Sequence, residues 1–102
     1  MPDPRALLLA VALAGPAAAG GPDAAALERL LTQDCGSCHG LALKGGLGPD
    51  LRADTLAGWS AEALAAVILD GRPGTAMPPW RPLLTEAEAD WLARRLLTGE
   101  TP

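Results

Sequence analysis

Five consecutive residues, Cys35-Gly36-Ser37-Cys38-His39, constrain this chain more than any other stretch. The run has the pattern C-x-x-C-H and is followed by Gly40; that pattern reads as a covalent attachment site for a c-type haem. Two thiols add across the two vinyl groups of the porphyrin. With two residues between them on a helical turn they span one edge of the macrocycle, and the next residue is directed at the iron. An imidazole nitrogen is a strong proximal ligand for haem iron, which assigns that role to His39. Other readings of the same residues have less behind them. A structural zinc site takes four ligands, and the sequence holds no cysteine or histidine beyond Cys35, Cys38 and His39. A thioredoxin-like dithiol belongs in a βαβ pattern, and no strand-like run surrounds this one. A Cys35–Cys38 disulfide would close a loop too short to restrict the unfolded chain much.

A chain of 102 residues is expected to be one small domain. Residues 1–19 read as a signal peptide: Arg5 in the n-region, an apolar stretch from Ala6 to Gly15, and the small residues Ala17-Ala18-Ala19 at the cleavage site. The apolar stretch is about half the roughly 20 residues of a spanning helix, and Pro16 interrupts it. An uncleaved anchor is the alternative. Cleavage after Ala19 would leave residues 20–102, a monohaem domain with 7 basic and 11 acidic side chains and a formal charge of −4. The acidic balance argues against nucleic acid and against an anionic membrane surface as partners. The chain has no Phe and no Tyr, so its own core is thin. Small domains often rely on a metal or another staple, and haem attachment is expected to stabilise this one decisively.

The remaining sequence reads as helices separated by breaker-rich loops. Asp23 can cap a helix with Leu27, Leu30 and Leu31 at helical spacing, running into the cysteine motif. Leu41 to Thr55 is a loop bent by Gly45, Gly46, Gly48 and Pro49. Ser60 opens a second helix of about ten residues with Leu64, Val67 and Ile68 on its apolar face, stopped by Gly71. Arg72 to Leu84 contains Pro73, Gly74, Pro78, Pro79 and Pro82 and excludes regular structure. Thr85 and Glu88 form a capping box for a last helix, with Trp91, Leu92 and Leu96 on its apolar face and Gly99 as its stop. The fold class is all-α.

What occupies the sixth position of the iron decides the function. Met77 is the sole methionine after signal cleavage and lies 38 residues beyond His39, inside the proline-braced loop. A methionine in a helix stripe usually packs; the loop setting favours axial ligation. Lys44 is the only lysine; it could compete for the iron at alkaline pH, but its glycine neighbours suit a solvated side chain.

The Cys35 to Gly40 motif, the Gly48-Pro49-Asp50-Leu51 run and the Thr75-Ala76-Met77-Pro78-Pro79-Trp80 loop together resemble a class I cytochrome c, in the family's order and over nearly the whole mature chain. The resemblance implies three helices wrapped around one covalently bound haem, with the first and last crossing. It also implies that the Pro49 carbonyl accepts the Nδ1 proton of His39, a hydrogen bond of the kind a ligating histidine is expected to have; an ordinary turn residue is the alternative for Pro49. Trp59 is a candidate donor to a haem propionate and Trp80 a candidate pocket wall beside Met77, with plain packing as the alternative for both. Arg72 and Arg81 flank the methionine loop as candidate propionate partners. Within the family the runs Leu43 to Leu51 and Asp70 to Trp80 are most similar to the small NirC-type cytochromes encoded beside haem cd1 nitrite reductase.

These observations imply a periplasmic one-electron carrier, monomeric, with haem c held by Cys35 and Cys38 and the iron ligated by His39 and Met77. Its partner would be a redox protein, with haem cd1 nitrite reductase the candidate. An accessory role in haem d1 maturation and a ligand-binding haem sensor with a labile Met77 are the alternatives. An enzyme is not expected: there is no second histidine and no nucleophile with a base.

Overall fold

The computed structural model describes residues 21–102; the expected signal peptide, residues 1–19, lies outside the described residues. The first helical body is a continuous run. Asp23 caps α1 (Ala24–Leu30) by accepting a hydrogen bond from the Ala26 N–H at 3.2 Å. A π-helical segment (Leu31–Cys35) follows, its wide turn closed by the Gly36 N–H donating to the Leu31 carbonyl, and α2 (Gly36–His39) completes the run. Single wide turns of this kind recur at functional sites; here it joins the core-packed Leu31 to the two cysteines. The Ser37 hydroxyl donates to the Asp34 carbonyl at 2.8 Å across the junction. At Gly40 the backbone leaves helical space with φ 91°.

Ser60 caps α3 (Ala61–Asp70) through the Ala63 N–H at 3.0 Å. Leu64 and Leu69 are its buried residues. The expected face of Leu64, Val67 and Ile68 is therefore corrected: Val67 is only half-buried, and Leu69 takes its place in the core. The last helix, α4 (Glu86–Thr98), starts with the full Thr85/Glu88 capping box and ends at left-handed Gly99. It supplies Ala89, Trp91, Leu92, Ala93 and Leu96 to the core and packs against α3. Leu27 and Leu31 join the same cluster, and Arg95 of α4 pairs with Glu28 of α1 at 2.5 Å. These contacts tie the first and last helical bodies together. The described residues contain helices and loops and no strand, and no helix among them is long and apolar enough to cross a membrane.

Candidate functional site: an apolar cleft between the helices

The three helical bodies leave a cleft of about 610 Å³, within the roughly 300–1,000 Å³ of sites that hold cofactor-sized ligands. Leu31, Ile68, Leu92 and Leu96 give it apolar walls from three separate helices, and Leu47 and Leu51 add to them from the loop between. Cys35, Cys38, His39, Pro49, Met77 and Trp80 all line it. Six of the seven residues expected to contact the cofactor are thus brought together around one apolar space.

Both cysteines are free thiols and half-buried. Burial, reinforced by the neighbouring Asp34 carboxylate, pushes the Cys35 thiol up to about 11. In the haem-free protein that sulfur is therefore a protonated thiol at neutral pH. His39 Nδ1 lies 2.8 Å from the Pro49 carbonyl oxygen. A carbonyl only accepts, so Nδ1 carries the proton and Nε2 keeps its lone pair. The loop that presents Pro49 is itself tied to the cysteine helix, with the Gly45 N–H donating to the His39 carbonyl and the Gly48 N–H to the Cys38 carbonyl, both at 2.8 Å. Gly48 is required at its position because a Cβ there would fall 2.7 Å from His39 Cε1 and 2.8 Å from Nδ1. The imidazole is held from one side by backbone packing and from another by a hydrogen bond.

Met77 reaches the cleft on a loop without regular structure. Its carbonyl accepts from the Arg72 N–H at 3.2 Å, and the Arg72 carbonyl in turn accepts from the Thr75 N–H at 3.0 Å and the Thr75 hydroxyl at 2.6 Å. On the far side the Trp80 and Arg81 N–H groups donate to the Ile68 and Leu69 carbonyls of α3. The loop crosses directly over Gly71, where a Cβ would lie 2.7 Å from the Met77 carbonyl oxygen and 2.8 Å from Pro78 and Pro79 backbone atoms. Gly71 has φ 69°, so both its conformation and its lack of a side chain are used.

Trp59 is the exception among the expected residues. It does not line the cleft and is 38% exposed. Its ring carries the Arg72 guanidinium, 6.0 Å from the ring centroid. The structure thus gives the cleft-facing position to Arg72. Arg81 does not line the cleft either; it pairs with Asp70 at 2.8 Å and with Glu86 at 3.8 Å. Lys44 is exposed and outside the lining. Leu47 lines the cleft while 83% exposed, a wall position that neither helical nor strand periodicity could reveal inside a glycine-rich loop.

An apolar cleft between helices, furnished with two free thiols and an imidazole turned by a backbone carbonyl, defines a c-type cytochrome of class I. The comparisons with known proteins agree. Residues 22–94 match the family described as cytochrome c oxidase, cbb3-type, subunit III. The chain is 60% identical to cytochrome c55X of Paracoccus denitrificans (strain Pd 1222), over 95% of its own length and 97% of that protein. The solved structure of the c-type cytochrome NirC superimposes with a TM-score of 0.75 at 55% identity, covering 79% of this chain and all of that one. The dihydro-heme d1 dehydrogenase NirN, solved in complex with DHE, matches with a TM-score of 0.65 at 37% identity, over 74% of this chain but only 16% of NirN. The chain belongs to the family of small c-type cytochromes that includes cytochrome c55X and NirC. Its cofactor is haem c with iron, its activity is electron carriage rather than catalysis, and its partner is a redox protein.

Proposed function

We propose that this protein is a periplasmic carrier whose haem iron is ligated by His39 and Met77, and that it delivers electrons to haem cd1 nitrite reductase. The observation that carries the reading is the convergence on one cleft of an imidazole with a free Nε2 lone pair and a thioether on a braced loop. One-electron exchange at the iron is the chemistry the haem supplies. His39 gives Nε2 as a fixed ligand, because the Nδ1–H···O bond to Pro49 sets the tautomer and the ring plane. Met77 would give a soft sulfur that favours the ferrous state, and the apolar walls would disfavour the extra charge of the ferric one; both would raise the potential. His39 and Met77 would together hold the iron, which would leave no coordination site for a substrate. The paired backbone hydrogen bonds around Arg72 and Met77 brace the loop that carries the sulfur; a ligand held in similar geometry in either oxidation state would keep the barrier to transfer small.

The test is the reduced spectrum of periplasmically matured protein with and without carbon monoxide, followed by mixing with reduced-state monitoring against cd1 nitrite reductase. Wild type should be unchanged by carbon monoxide and be oxidised by the reductase; Met77→Ala should keep its haem, bind carbon monoxide promptly and show a lower potential. Prompt carbon monoxide binding by wild type would overturn the ligand assignment in favour of a ligand-binding haem protein.

A second reading has one specific observation in its favour. A domain like this chain forms a small part of NirN, a dihydro-heme d1 dehydrogenase. On that ground the electrons carried here would come from, or serve, maturation of haem d1. Deletion that lowers d1 content supports this role; deletion that leaves d1 content intact while slowing nitrite reduction supports the carrier role.

A further inference from the structure

The loop that holds the His39 imidazole has few anchors of its own. Residues 40–48 include Gly40, Gly45, Gly46 and Gly48, and glycine gives up more conformational freedom on ordering than any other residue. Most of the remaining side chains do not tether it: Leu41 and Leu47 are 77% and 83% exposed, and Ala42 and Lys44 are exposed too. Leu43 is the exception. It is half-buried and packs against the core cluster. It also lines a second, smaller cavity with Leu51 and Leu96, two residues that are walls of the cleft as well.

The backbone of Leu43 is exceptional in turn. Among the described residues it is the one non-glycine residue with positive φ, at 59°. A leucine is strained in that region, where a glycine would not be. The turn closes with the Leu43 N–H donating to the Gly40 carbonyl at 2.9 Å, and the Leu43 carbonyl accepts from the Leu51 N–H, also at 2.9 Å. These two bonds bracket the segment that carries Pro49, whose carbonyl oxygen lies 2.8 Å from His39 Nδ1. What a leucine supplies at this position, and a glycine could not, is a side chain that fastens the loop to the core.

We propose that Leu43 is a positioning residue for the axial imidazole: its tethered, left-handed backbone fixes the Pro49 carbonyl on His39 Nδ1. This rests on His39 ligating the haem iron. A hydrogen bond donated by Nδ1 makes the ring a more basic ligand, and a more basic ligand favours the ferric state. Loosening the loop therefore moves the couple toward the ferrous form.

The test uses holoprotein with isotope-labelled histidine. Hydrogen exchange of the His39 Nδ1 proton, followed by NMR in the ferrous state, reads the bond to Pro49. Leu43→Gly removes the tether and the strain together; it should speed that exchange about tenfold and raise the ferrous share at fixed ambient potential. Leu43→Met keeps an apolar side chain of similar volume and should stay close to wild type in both. Leu64→Ala, in the core on α3 and outside the cleft lining, should speed exchange of buried α4 amides while leaving the Nδ1 proton and the ferrous share unchanged. Wild-type Nδ1 exchange in Leu43→Gly, or equal acceleration in Leu43→Gly and Leu64→Ala, overturns the assignment. If Leu43→Gly yields no holoprotein, a normal pyridine haemochrome yield from Leu43→Met supports the tether; loss in both variants overturns it. Failure of the ligand assignment beneath it registers separately, because the His39 ring protons of wild-type ferrous protein would then lack the upfield shift that a porphyrin ring current imposes.

Discussion

The two segments that meet at the cleft are built in opposite ways. The cysteine segment is helical from Ala24 to His39, and its functional side chains fall where a helical repeat sends them. The methionine segment, residues 72–84, contains no helix of its own and is placed by prolines, by Gly71 beneath it and by backbone hydrogen bonds to α3. A helix presents ligands through its periodicity. A loop must be immobilised residue by residue, and the cost of that is met here by short hydrogen-bonded spans rather than by burial, since Thr75, Ala76, Pro78 and Pro79 are all exposed. On the proposed reading chemistry divides the same way: the helical side would make the covalent bonds, and the loop side would supply a reversible ligand.

The largest effect expected from this contrast is on the covalent side. Cys38→Ala should abolish normal holoprotein, read as pyridine haemochrome per unit of protein; normal yield of correctly attached haem would break the distinction between the segments. On the loop side Gly71→Ala should be felt at a distance. The added methyl meets the Met77 and Pro78 backbone at a φ of 69°, at a cost of roughly 1–3 kcal/mol. The haem should remain attached while carbon monoxide binds faster than to wild type, because the loop lifts away with Met77; unaltered carbon monoxide exclusion would show that the loop does not depend on that crossing.

The smallest effect sharpens the cysteine side. Asp50, next to Pro49, accepts from the Arg52 N–H at 2.8 Å and from its guanidinium at 2.7 Å. These bonds hold its carboxyl down to about 2, against an ordinary value of 3.8. The folded state therefore binds that proton less readily than the unfolded chain. Its contribution is complete above about pH 4 and is lost as pH falls toward 2. Thermal midpoints of wild type should decline over that window more steeply than those of Asp50→Asn; parallel declines would remove Asp50 from the support of the Pro49 turn.

Local chemistry made much of this protein legible from its residues. The Asp23, Ser60 and Thr85 caps and the Gly71 and Gly99 stops are decided by backbone groups within a few positions, so they could be read without knowing what packs where, and the helices follow them closely. Cys35, Cys38 and His39 are likewise singled out by their spacing alone, and the structure places all three on the lining of one cleft. Other features depend on partners distant in sequence. Whether a helix closes an i to i+5 bond at Leu31–Cys35, or buries Leu69 in place of Val67, turns on what the neighbouring helix requires, and side-chain periodicity does not carry that information.

Sequence by itself supplied the expected attachment motif, the three helical bodies and the candidates for each role around the iron. Only the tertiary structure decided among those candidates. It set Trp80 in the wall and Trp59 outside it, turned His39 Nδ1 onto Pro49, and left Arg72 facing the cleft while Asp70 and Glu86 took Arg81. The reason is physical: an arginine's or a tryptophan's role is fixed by which groups lie within a few ångströms of it, and those groups come from segments brought together only when the helices pack.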